Sequence, residues 1–375
     1  MQRNELIVVH GADPATMAAQ ALEAAGLETL IPHNALIAFK PNLVVSKDAS
    51  SGAVTHPEII EGCVGWLREK GFERFVIMEG SWVGDSTSQA FTTAGYRELS
   101  ERIGVPLVDL QRDSWKRYDA GGGQHIAVCD AAMAADFLIN LPVLKGHCQT
   151  TVTCALKNLK GCMPDEEKSR FHQIGLHEPI ARLNRILKPA FILTDAICGD
   201  LDFEEGGNPV RMDRLVAAMD PVLMDAYACS LMGHEIEDVP YIHLAEKYGV
   251  GSADLSAATI TEIGEASLAA TVPARSGKVR ALASRVDERS ACSACYAALI
   301  HGLARLDERG ILKRLDTVLG AKHEKRIAIG KDFTGVPWDG VGCGKCTSGA
   351  ATSLSGCPPN GSEVAAFLEN MVKGG

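Results

Sequence analysis

Asp136-Phe-Leu-Ile-Asn140 contains a short apolar run, and Leu141-Pro-Val-Leu-Lys145-Gly-His147, which ends with the polar residues Lys145 and His147, follows it directly. A continuous apolar run of this length is typical of a strand that is buried on both faces of a sheet. In open α/β proteins, ligands bind outside the carboxyl ends of the strands. The stretch therefore predicts a parallel sheet and also indicates the edge at which a site lies.

Four similar runs flank this stretch and belong to the same predicted sheet. Between them, residues 57–70 and 86–95 have the pattern of helices, with Pro57 at a helix start and Gly71 just past a helix end. Strands that alternate with helices predict an α/β fold with a mainly parallel sheet covered by helices. A smaller C-terminal α/β unit that carries a cysteine cluster completes the predicted fold. The four runs are Ala35–Phe39, Arg74–Met78, Val105–Leu110 and Phe191–Thr194.

The composition is that of a soluble globular protein. The 375 residues are 46% hydrophobic and carry a net charge of −10, which disfavours a nucleic-acid partner. The N-terminal apolar run Leu6–Val9 is too short for a signal-peptide core, and no run is long enough to cross a membrane. Twelve cysteines are expected to be thiols or metal ligands in a reducing compartment. We therefore expect a cytoplasmic protein without a membrane partner.

The charge of the chain changes sign near residue 270. Residues 1–270 have a net charge of −15, from 22 Lys and Arg against 37 Asp and Glu. Residues 271–331 have a net charge of +7, from 13 against 6. This change predicts two domains, 1–270 and 271–375. The basic stretch either docks an acidic electron-transfer protein or is a solvated helical surface.

The C-terminal part contains two cysteine clusters. Cys292-Ser-Ala-Cys295 comes first, at the start of a helical pattern, and Cys343-Gly-Lys-Cys346 with Gly356-Cys357-Pro follows in a predicted glycine-rich loop. Thiolates at two-residue spacing are typical ligands of soft metals and iron–sulfur clusters. A [4Fe–4S] cluster needs four of them, and the pattern favours Cys292, Cys295, Cys346 and Cys357, with Cys343 as a possible substitute.

Two alternatives to the iron–sulfur cluster remain. A structural zinc would use Cys292, Cys295, Cys343 and Cys346, although the gap between the pairs is longer than is usual for zinc sites. The thiols could also be redox-active or serve no metal. A zinc site of this kind gives Cys357 no role.

The polar loop after Asn140 supplies the predicted catalytic residues. Lys145 and Lys157 would bind an anion, and His147 would donate a proton because its ordinary pKa lies near neutral pH. The loop is expected to enter a helix that Thr150 or Thr151 caps. Further polar residues are predicted to bind the substrate. They are Thr150, Thr153, Asn158 and Lys160 in the same stretch of the chain, and Glu79 and Asp195 at the ends of other strands.

A histidine metal site is a further possibility. His147, His172 and His177 could hold a catalytic metal, with zinc at the cysteines as a structural element. The five-residue spacing of His172 and His177 disfavours this arrangement, because residues on one helix face are separated by three or four.

These motifs resemble an uncharacterised family, domain of unknown function 362, of iron–sulfur type. The resemblance implies an α/β protein without an established reaction, and it implies that Lys40 and Asn42 belong to the substrate site. Many members of that family append a two-cluster ferredoxin module, whereas the cysteines here support one cluster. The matching stretches are Lys40-Pro-Asn-Leu43, Thr55-His-Pro57, Glu79-Gly80, Asp136–Pro142, Lys145-Gly-His147, Val152-Thr153, Leu156–Gly161 and Asp220-Pro221 with Asp225.

The sequence thus favours an iron–sulfur protein that acts as an oxidoreductase on a small anionic substrate or cofactor. One alternative is a non-catalytic electron carrier or scaffold that docks a protein partner. Another is a zinc-stabilised, metal-dependent hydrolase or isomerase.

Overall fold

The computed structural model describes residues 1–266, 277–320 and 326–374, and these residues form two units. The first comprises Met1–Lys168 and 176–266. The second comprises Ser169–Gly175, 277–320 and 326–374. The predicted boundary between residues 270 and 271 lies outside the described residues and stays a prediction.

Strands are numbered here in chain order over the described residues. They are β1 (Glu5–His10), β2 (Ile37–Pro41), β3 (Phe75–Glu79), β4 (Leu107–Asp109), β5 (Trp115–Gly121), β6 (Gln124–Cys129), β7 (Phe137–Leu141), β8 (Lys145–His147), β9 (Thr151–Thr153), β10 (Phe191–Asp200), β11 (Pro209–Ala218), β12 (Thr259–Ile263), β13 (Val286–Glu288), β14 (Ile327–Ile329), β15 (Trp338–Cys343) and β16 (Ala350–Leu354).

The α-helices follow the same convention, and short 3₁₀ turns are left unnumbered. They are α1 (Pro14–Ala25), α2 (Pro57–Glu69), α3 (Thr87–Thr93), α4 (Tyr96–Ile103), α5 (Asp130–Met133), α6 (Ala155–Asn158), α7 (Asp165–Ile174), α8 (His177–Ile186), α9 (Pro221–Leu231), α10 (Pro240–Lys247), α11 (Lys278–Ala283), α12 (Ser293–Glu308), α13 (Leu312–Leu319) and α14 (Gly361–Gly374).

The first unit is built on a mixed sheet in the order β12-β1-β11-β10-β7-β2-β3-β4. Strand β11 runs antiparallel to both of its neighbours, and the other pairings in this sheet are parallel. The carboxyl ends of β10, β7, β2 and β3 therefore meet at one edge of the sheet. The α/β prediction is confirmed, and so are the predicted strands that became β2, β3, β4, β7 and β10.

Local signals in the sequence explain the helices that cover this sheet. Helix α2 begins at Pro57, and α3 follows Ser86, whose side chain accepts a hydrogen bond from Gln89 N. Asp220 caps α9 by accepting from Val222 N and Leu223 N, as the sequence predicted. On α2 the apolar positions Ile59, Cys63 and Leu67 recur every four residues, and they are fully buried in the core of the unit.

Strand β1 was not predicted. The run Leu6–Val9 is fully or almost fully buried, and its strand lies between β11 and β12 in the sheet. From its sequence, this run was interpreted only as too short for a signal-peptide core. Its length of four residues fits an interior strand well, because such strands need only a short continuous apolar segment.

The second unit contains a smaller sheet in the order β13-β14-β15-β16, in which the described pairings are parallel. Helix α12 follows β13, and α14 packs against α12, where Leu299, Leu303, Val364 and Leu368 are buried. The predicted smaller C-terminal α/β unit with its cysteines is thus confirmed as a fold.

Two local predictions were wrong. Thr150 and Thr151 do not cap a helix, because 145–153 forms an antiparallel hairpin of β8 and β9 and the helix begins only at Ala155. The β-branched residues Val152 and Thr153 favour the extended backbone of β9, whereas Thr151 has a left-handed φ of +67°. The region 342–357 is also not one loop, since β15 ends at Cys343 and β16 occupies Ala350–Leu354.

Candidate functional site

The cysteines of the second unit lie at the carboxyl ends of its parallel strands. Cys292 and Cys295 follow β13 at the start of α12, where Cys292 is the N-cap residue. Cys343 is the last residue of β15, Cys346 lies in the 3₁₀ turn that follows, and Cys357 comes three residues after β16. The parallel topology thus brings both sequence clusters to one edge of the small sheet.

Backbone hydrogen bonds hold the loops that carry these thiols together. Gly344 N donates to Leu354 O at 2.9 Å, and Lys345 N donates to Gly356 O at 2.7 Å. A Cβ atom at Gly344, where φ is +93°, would lie 3.8 Å from Cys295 Sγ. A side chain would fit at that distance, so the positive φ, and not a lack of space, favours glycine at this position.

Electrostatics also links the five thiols. Burial, and to a smaller extent negative charge on the other four cysteines of this edge, raises the pKa of Cys295 to about 12; these cysteines are Cys292, Cys357, Cys343 and Cys346. Burial alone raises the pKa of Cys343 to about 12. Among the described residues, no group of three or more His, Cys, Asp or Glu side chains converges in the geometry of a metal site. Ligation by four of the five thiols stays a prediction.

In the first unit, the predicted site residues form a buried polar network at the carboxyl edge of the large sheet. Lys40 on β2 lies opposite Asn140 on β7 in the strand register and makes a buried ion pair with Glu79, the last residue of β3. Burial raises the pKa of the Glu79 carboxyl, and the positive charges of Lys40 and Lys168 offset part of this rise. Lys40 and Glu79 therefore neutralise each other inside the protein.

Asn158 connects this ion pair with the neighbouring strand ends. Its Oδ1 accepts from Lys40 Nζ and from Asn42 Nδ2, both at 3.0 Å, and its Nδ2 donates to Asn140 Oδ1 at 2.8 Å. A Cβ atom at Gly161 would lie 2.7 Å from Lys40 Nζ and from Glu79 Oε2. Only glycine leaves room there for the backbone to cover the ion pair.

Lys145 belongs to the same network and is almost fully buried. Its ammonium group donates to Asn42 Oδ1 at 3.1 Å, to Glu204 O at 2.9 Å and also to Ala53 O. Burial lowers the pKa of Lys145 to about 7, and the positive charge of Lys157 contributes. Because these three acceptors can use all three ammonium protons, the geometry gives Lys145 a role in holding the loops together. Its predicted part in catalysis stays a prediction.

His147 is also enclosed, with 3% of its surface exposed. Its Nδ1 accepts from Gln149 N at 3.0 Å and from Thr150 N at 3.3 Å, so the ring proton is assigned to Nε2. Nε2 lies 3.4 Å from Glu204 Oε1. Both ring nitrogens thus face protein groups.

Lys157 differs from Lys40 and Lys145 in its surroundings. It is half-buried, and its Nζ lies 3.5 Å from Thr153 Oγ1. Burial lowers the pKa of Lys157 to about 8, while Glu204 and the Cys148 thiolate would raise it. Lys157, Glu204 and Cys148 are therefore electrostatic neighbours, and Lys157 is the lysine of this group with hydrogen-bonding capacity left for a ligand.

The remaining predicted residues are distributed around this network. Thr150 is buried in the turn between β8 and β9, and Lys160 is half-buried in the 3₁₀ turn after α6. Asp195 on β10 is separated from Glu79 by β7 and β2 in the sheet and contacts His56 instead. His172 belongs to the second unit and His177 to the first, where its ring stacks on Tyr241. The three-histidine metal site stays untested.

Sequence reasoning missed three residues of this edge. His56, Cys148 and Glu204 were not selected, although His56 lies in the quoted stretch Thr55-His-Pro57 and Cys148 directly follows His147. Glu204 lies in an acidic loop far along the chain, and its burial under the β8–β9 hairpin is a tertiary feature without a local signal. Cys148 N donates to Glu204 Oε2 at 3.0 Å.

A cavity of about 730 Å³ lies at the opposite edge of the large sheet. Its lining includes Arg3 before β1, Pro189 before β10 and Met219 after β11, together with Asn184 and Lys188. None of the predicted site residues lines this cavity within the described part of the first unit. The network at the carboxyl edge and this cavity are therefore separate features.

Comparison with known proteins supports the family assignment. The chain is 25% identical over 236 residues to the thylakoid-associated protein sll1697 of Synechocystis. The aligned region covers 60% of this chain and 71% of that protein. Within the described residues, no helix has both the length and the apolar character to span a membrane. Residues 37–230, just over half of the chain, match the family described as domain of unknown function DUF362, and the protein belongs to that family.

Proposed function

We propose that the second unit binds one [4Fe–4S] cluster through Cys292, Cys295, Cys346 and Cys357, and that the protein is an oxidoreductase acting on a small anionic substrate or cofactor. The observation that carries this proposal is the gathering of both cysteine clusters at the carboxyl ends of β13, β15 and β16. Residues far apart in sequence become neighbours there, as a four-thiolate site requires.

The chemistry of these residues fits an iron–sulfur cluster. Thiolates are soft ligands, and metal binding deprotonates them even where burial raises the pKa of the free thiol, as it does at Cys295. When bound, such a cluster supplies one-electron transfer. None of the twelve cysteines, all of which lie in the described residues, forms a disulfide bond; this fits a reducing compartment, and we infer a cytoplasmic protein.

The first unit supports the proposed preference for an anion. Lys157 is half-buried, with one weak hydrogen bond to Thr153 and a pKa that burial lowers to about 8, so near neutral pH it is largely a cation in a poorly solvated position. A bound carboxylate or phosphate would complete its hydrogen bonds and stabilise its charge. Lys160, which lies on the following turn, stays a predicted substrate-binding residue.

The metal content of anaerobically purified protein tests the cluster. We expect about four iron and four sulfide per chain, and a brown colour that dithionite bleaches. The Cys357→Ser variant should lose most of the iron. The Cys198→Ser variant, which changes a half-buried thiol of the first unit, should keep it. A colourless protein with one zinc per chain would overturn the cluster.

The anion site has its own test. Once a substrate or ligand is identified by screening small carboxylates and phosphates, Lys157→Ala should weaken its binding about tenfold or more while the iron content is unchanged. Iron loss in this variant would mean that the lysine is structural. A protein with its full iron content that binds no small anion would instead favour an electron carrier or scaffold.

A further inference from the structure

We propose that His56 and Asp195 form a proton-transfer dyad at the carboxyl edge of the large sheet, in which Asp195 positions the imidazole and His56 Nε2 exchanges a proton with a bound small molecule. This proposal deepens the proposed function and rests on it only in the expectation that a small anionic molecule binds at this edge.

The geometry of the pair is that of an oriented imidazole. His56 Nδ1 lies 2.8 Å from Asp195 Oδ2, and the backbone N–H of His56 donates to the same oxygen at 2.9 Å. Asp195 is fully buried, and its Oδ1 accepts from Ile197 N at 3.0 Å. Asp195 thus has partners for both oxygens and is held rigidly, and it fixes the ring proton of neutral His56 on Nδ1.

The free nitrogen of His56 distinguishes it from His147. The His56 side chain is 17% exposed. Its Nε2 makes no hydrogen bond with any described residue, and this nitrogen is not among the enclosed polar atoms that lack a partner. The His147 side chain is 1% exposed, and each of its ring nitrogens faces a protein group. Of these two histidines at the carboxyl edge, His56 is therefore the one that a small molecule can reach.

Hydrogen bonds of the neighbouring backbone and of Thr55 place His56 next to the polar network. His56 precedes Pro57, the first residue of α2, and has extended backbone angles. The side chain of the preceding residue, Thr55, donates to Leu141 O at 2.8 Å and accepts from Asn42 N at 2.8 Å. The segment is thus attached to the ends of β7 and β2, and the dyad adjoins the edge that carries Lys40 and Asn42.

The surrounding charges favour the protonated imidazole. Burial by itself would lower the pKa of His56, but the negative charges of Asp195, Glu58 and Asp48 outweigh it, so the pKa is raised. Asp195 faces the ring from β10, Glu58 lies on α2, and Asp48 lies in the loop after β2. The raised pKa increases the share of the imidazolium form at a given pH, which suits a group that donates a proton.

The proposed step is a simple proton transfer. The Nε2–H bond of the imidazolium breaks as the proton bonds to the reacting atom of the substrate, and the electron pair of that bond stays on Nε2. Asp195 keeps its hydrogen bond with Nδ1 throughout, and bulk solvent returns the proton to Nε2 afterwards. In the reverse direction neutral Nε2 accepts the proton.

Reaction with diethyl pyrocarbonate, followed by peptide mass spectrometry from pH 5 to 9, tests the dyad without any substrate or iron. The reagent is a small electrophile that acylates neutral, accessible imidazole. We expect His56 to react with a midpoint above the ordinary imidazole pKa of about 6.5, and we expect His147 to be protected. The exposed His33 serves as an internal reference for the reagent.

Two variants make the test specific. In Asp195→Asn, the pH midpoint of the His56 reaction should shift to a lower pH. The ratio of protonated to neutral imidazole at a given pH should then drop about tenfold or more. Glu58→Gln changes an exposed residue and should lower the same ratio by a smaller factor even if Asp195→Asn does not fold. Protection of His56 while His33 reacts, or a midpoint that neither variant changes, would overturn the proposal. Neither result depends on whether the protein binds a cluster.

Discussion

Asn158 Oδ1 lies 3.0 Å from Lys40 Nζ in the interior of the first unit. The same amide bonds Asn42 and Asn140, so one side chain satisfies polar groups from the ends of two neighbouring strands. Buried polar groups that lose their partners cost about 1–3 kcal/mol each. This relationship makes Asn158 a structural centre of the carboxyl edge.

We expect Asn158→Leu to lower the free energy of unfolding by about 3–5 kcal/mol, because Lys40, Asn42 and Asn140 each lose a hydrogen bond without access to water. Urea denaturation followed by circular dichroism measures the loss. Gln89→Leu, a similar change at an exposed position of α3, should stay within about 0.5 kcal/mol of the wild type. Equal losses in the two variants would mean that the network contributes little.

The Lys40–Glu79 ion pair should behave as a coupled unit. Either Lys40→Met or Glu79→Gln leaves a buried charge or donor without its partner, so each should cost about 3–5 kcal/mol. The double variant replaces both charges and should cost clearly less than the sum of the two single losses. Additive losses in this double-mutant cycle would show that the two side chains stabilise the fold independently.

The fold of the first unit was largely predictable, because its strands are continuous apolar runs with local helix signals between them. The runs around Phe39, Ile77 and Ile139 became adjacent parallel strands, and Pro57 starts the helix that it was expected to start. Thr150–Thr153 was assigned wrongly, since the pattern of polar residues after a strand resembles a capped helix. The β-branched residues Val152 and Thr153 were the signal for the second strand of the hairpin.

The location of the predicted residues at one edge of the sheet followed from the sequence, but their contacts did not. Lys145, Lys40 and Glu79 lie at the expected edge, yet Lys40 and Glu79 neutralise each other and Lys145 is bonded to main-chain and amide oxygens. Such pairing depends on distances across the sheet, which a sequence does not contain. His56 was missed for the same reason, because its partner Asp195 is 139 residues away along the chain.

Asp225 should make the stability of the first unit depend on pH. Burial raises the pKa of its carboxyl to about 7, whereas the ordinary value in an unfolded chain is about 3.9. Between these values the folded protein binds the additional proton, so its stability is greatest below pH 4 with respect to this group and falls as the pH rises to 7. Asn at this position keeps an acceptor for Leu156 N and has no charge to bury.

We therefore compare the free energies of unfolding of Asp225→Asn and the wild type. The value for the variant minus that for the wild type should increase by about 1–3 kcal/mol between pH 5 and pH 7 and then level off. Urea midpoints of both proteins across this range measure the change. Asp254→Asn is a suitable control, because hydrogen bonds from Ser256 lower the pKa of that exposed carboxyl and it stays ionised from pH 5 to pH 8. A constant difference for Asp225→Asn would show that Asp225 is ionised in the folded protein throughout.

The two cysteines of the Cys343-Gly-Lys-Cys346 pair should contribute unequally to metal binding. Cys343 is 2% exposed and ends β15, where its residue pairs with Leu354 in the sheet register. Cys346 is half-buried in the turn whose Lys345 N–H bonds Gly356 O, next to Cys357. The backbone thus holds Cys346 and Cys357 close to each other, whereas Cys343 is part of the sheet.

We accordingly expect Cys346→Ser to lose most of its iron and its visible absorption, while Cys343→Ser keeps at least about three quarters of both, since four thiolates suffice for one cluster. Burying a serine hydroxyl in place of the Cys343 thiol should still lower the melting temperature by a few degrees, because a buried hydroxyl without a partner costs about 1–3 kcal/mol. Iron analysis of both variants, purified in parallel without oxygen, decides between the two sulfurs. Full iron in Cys346→Ser together with loss in Cys343→Ser would reverse the assignment and make the end of β15 the site of ligation.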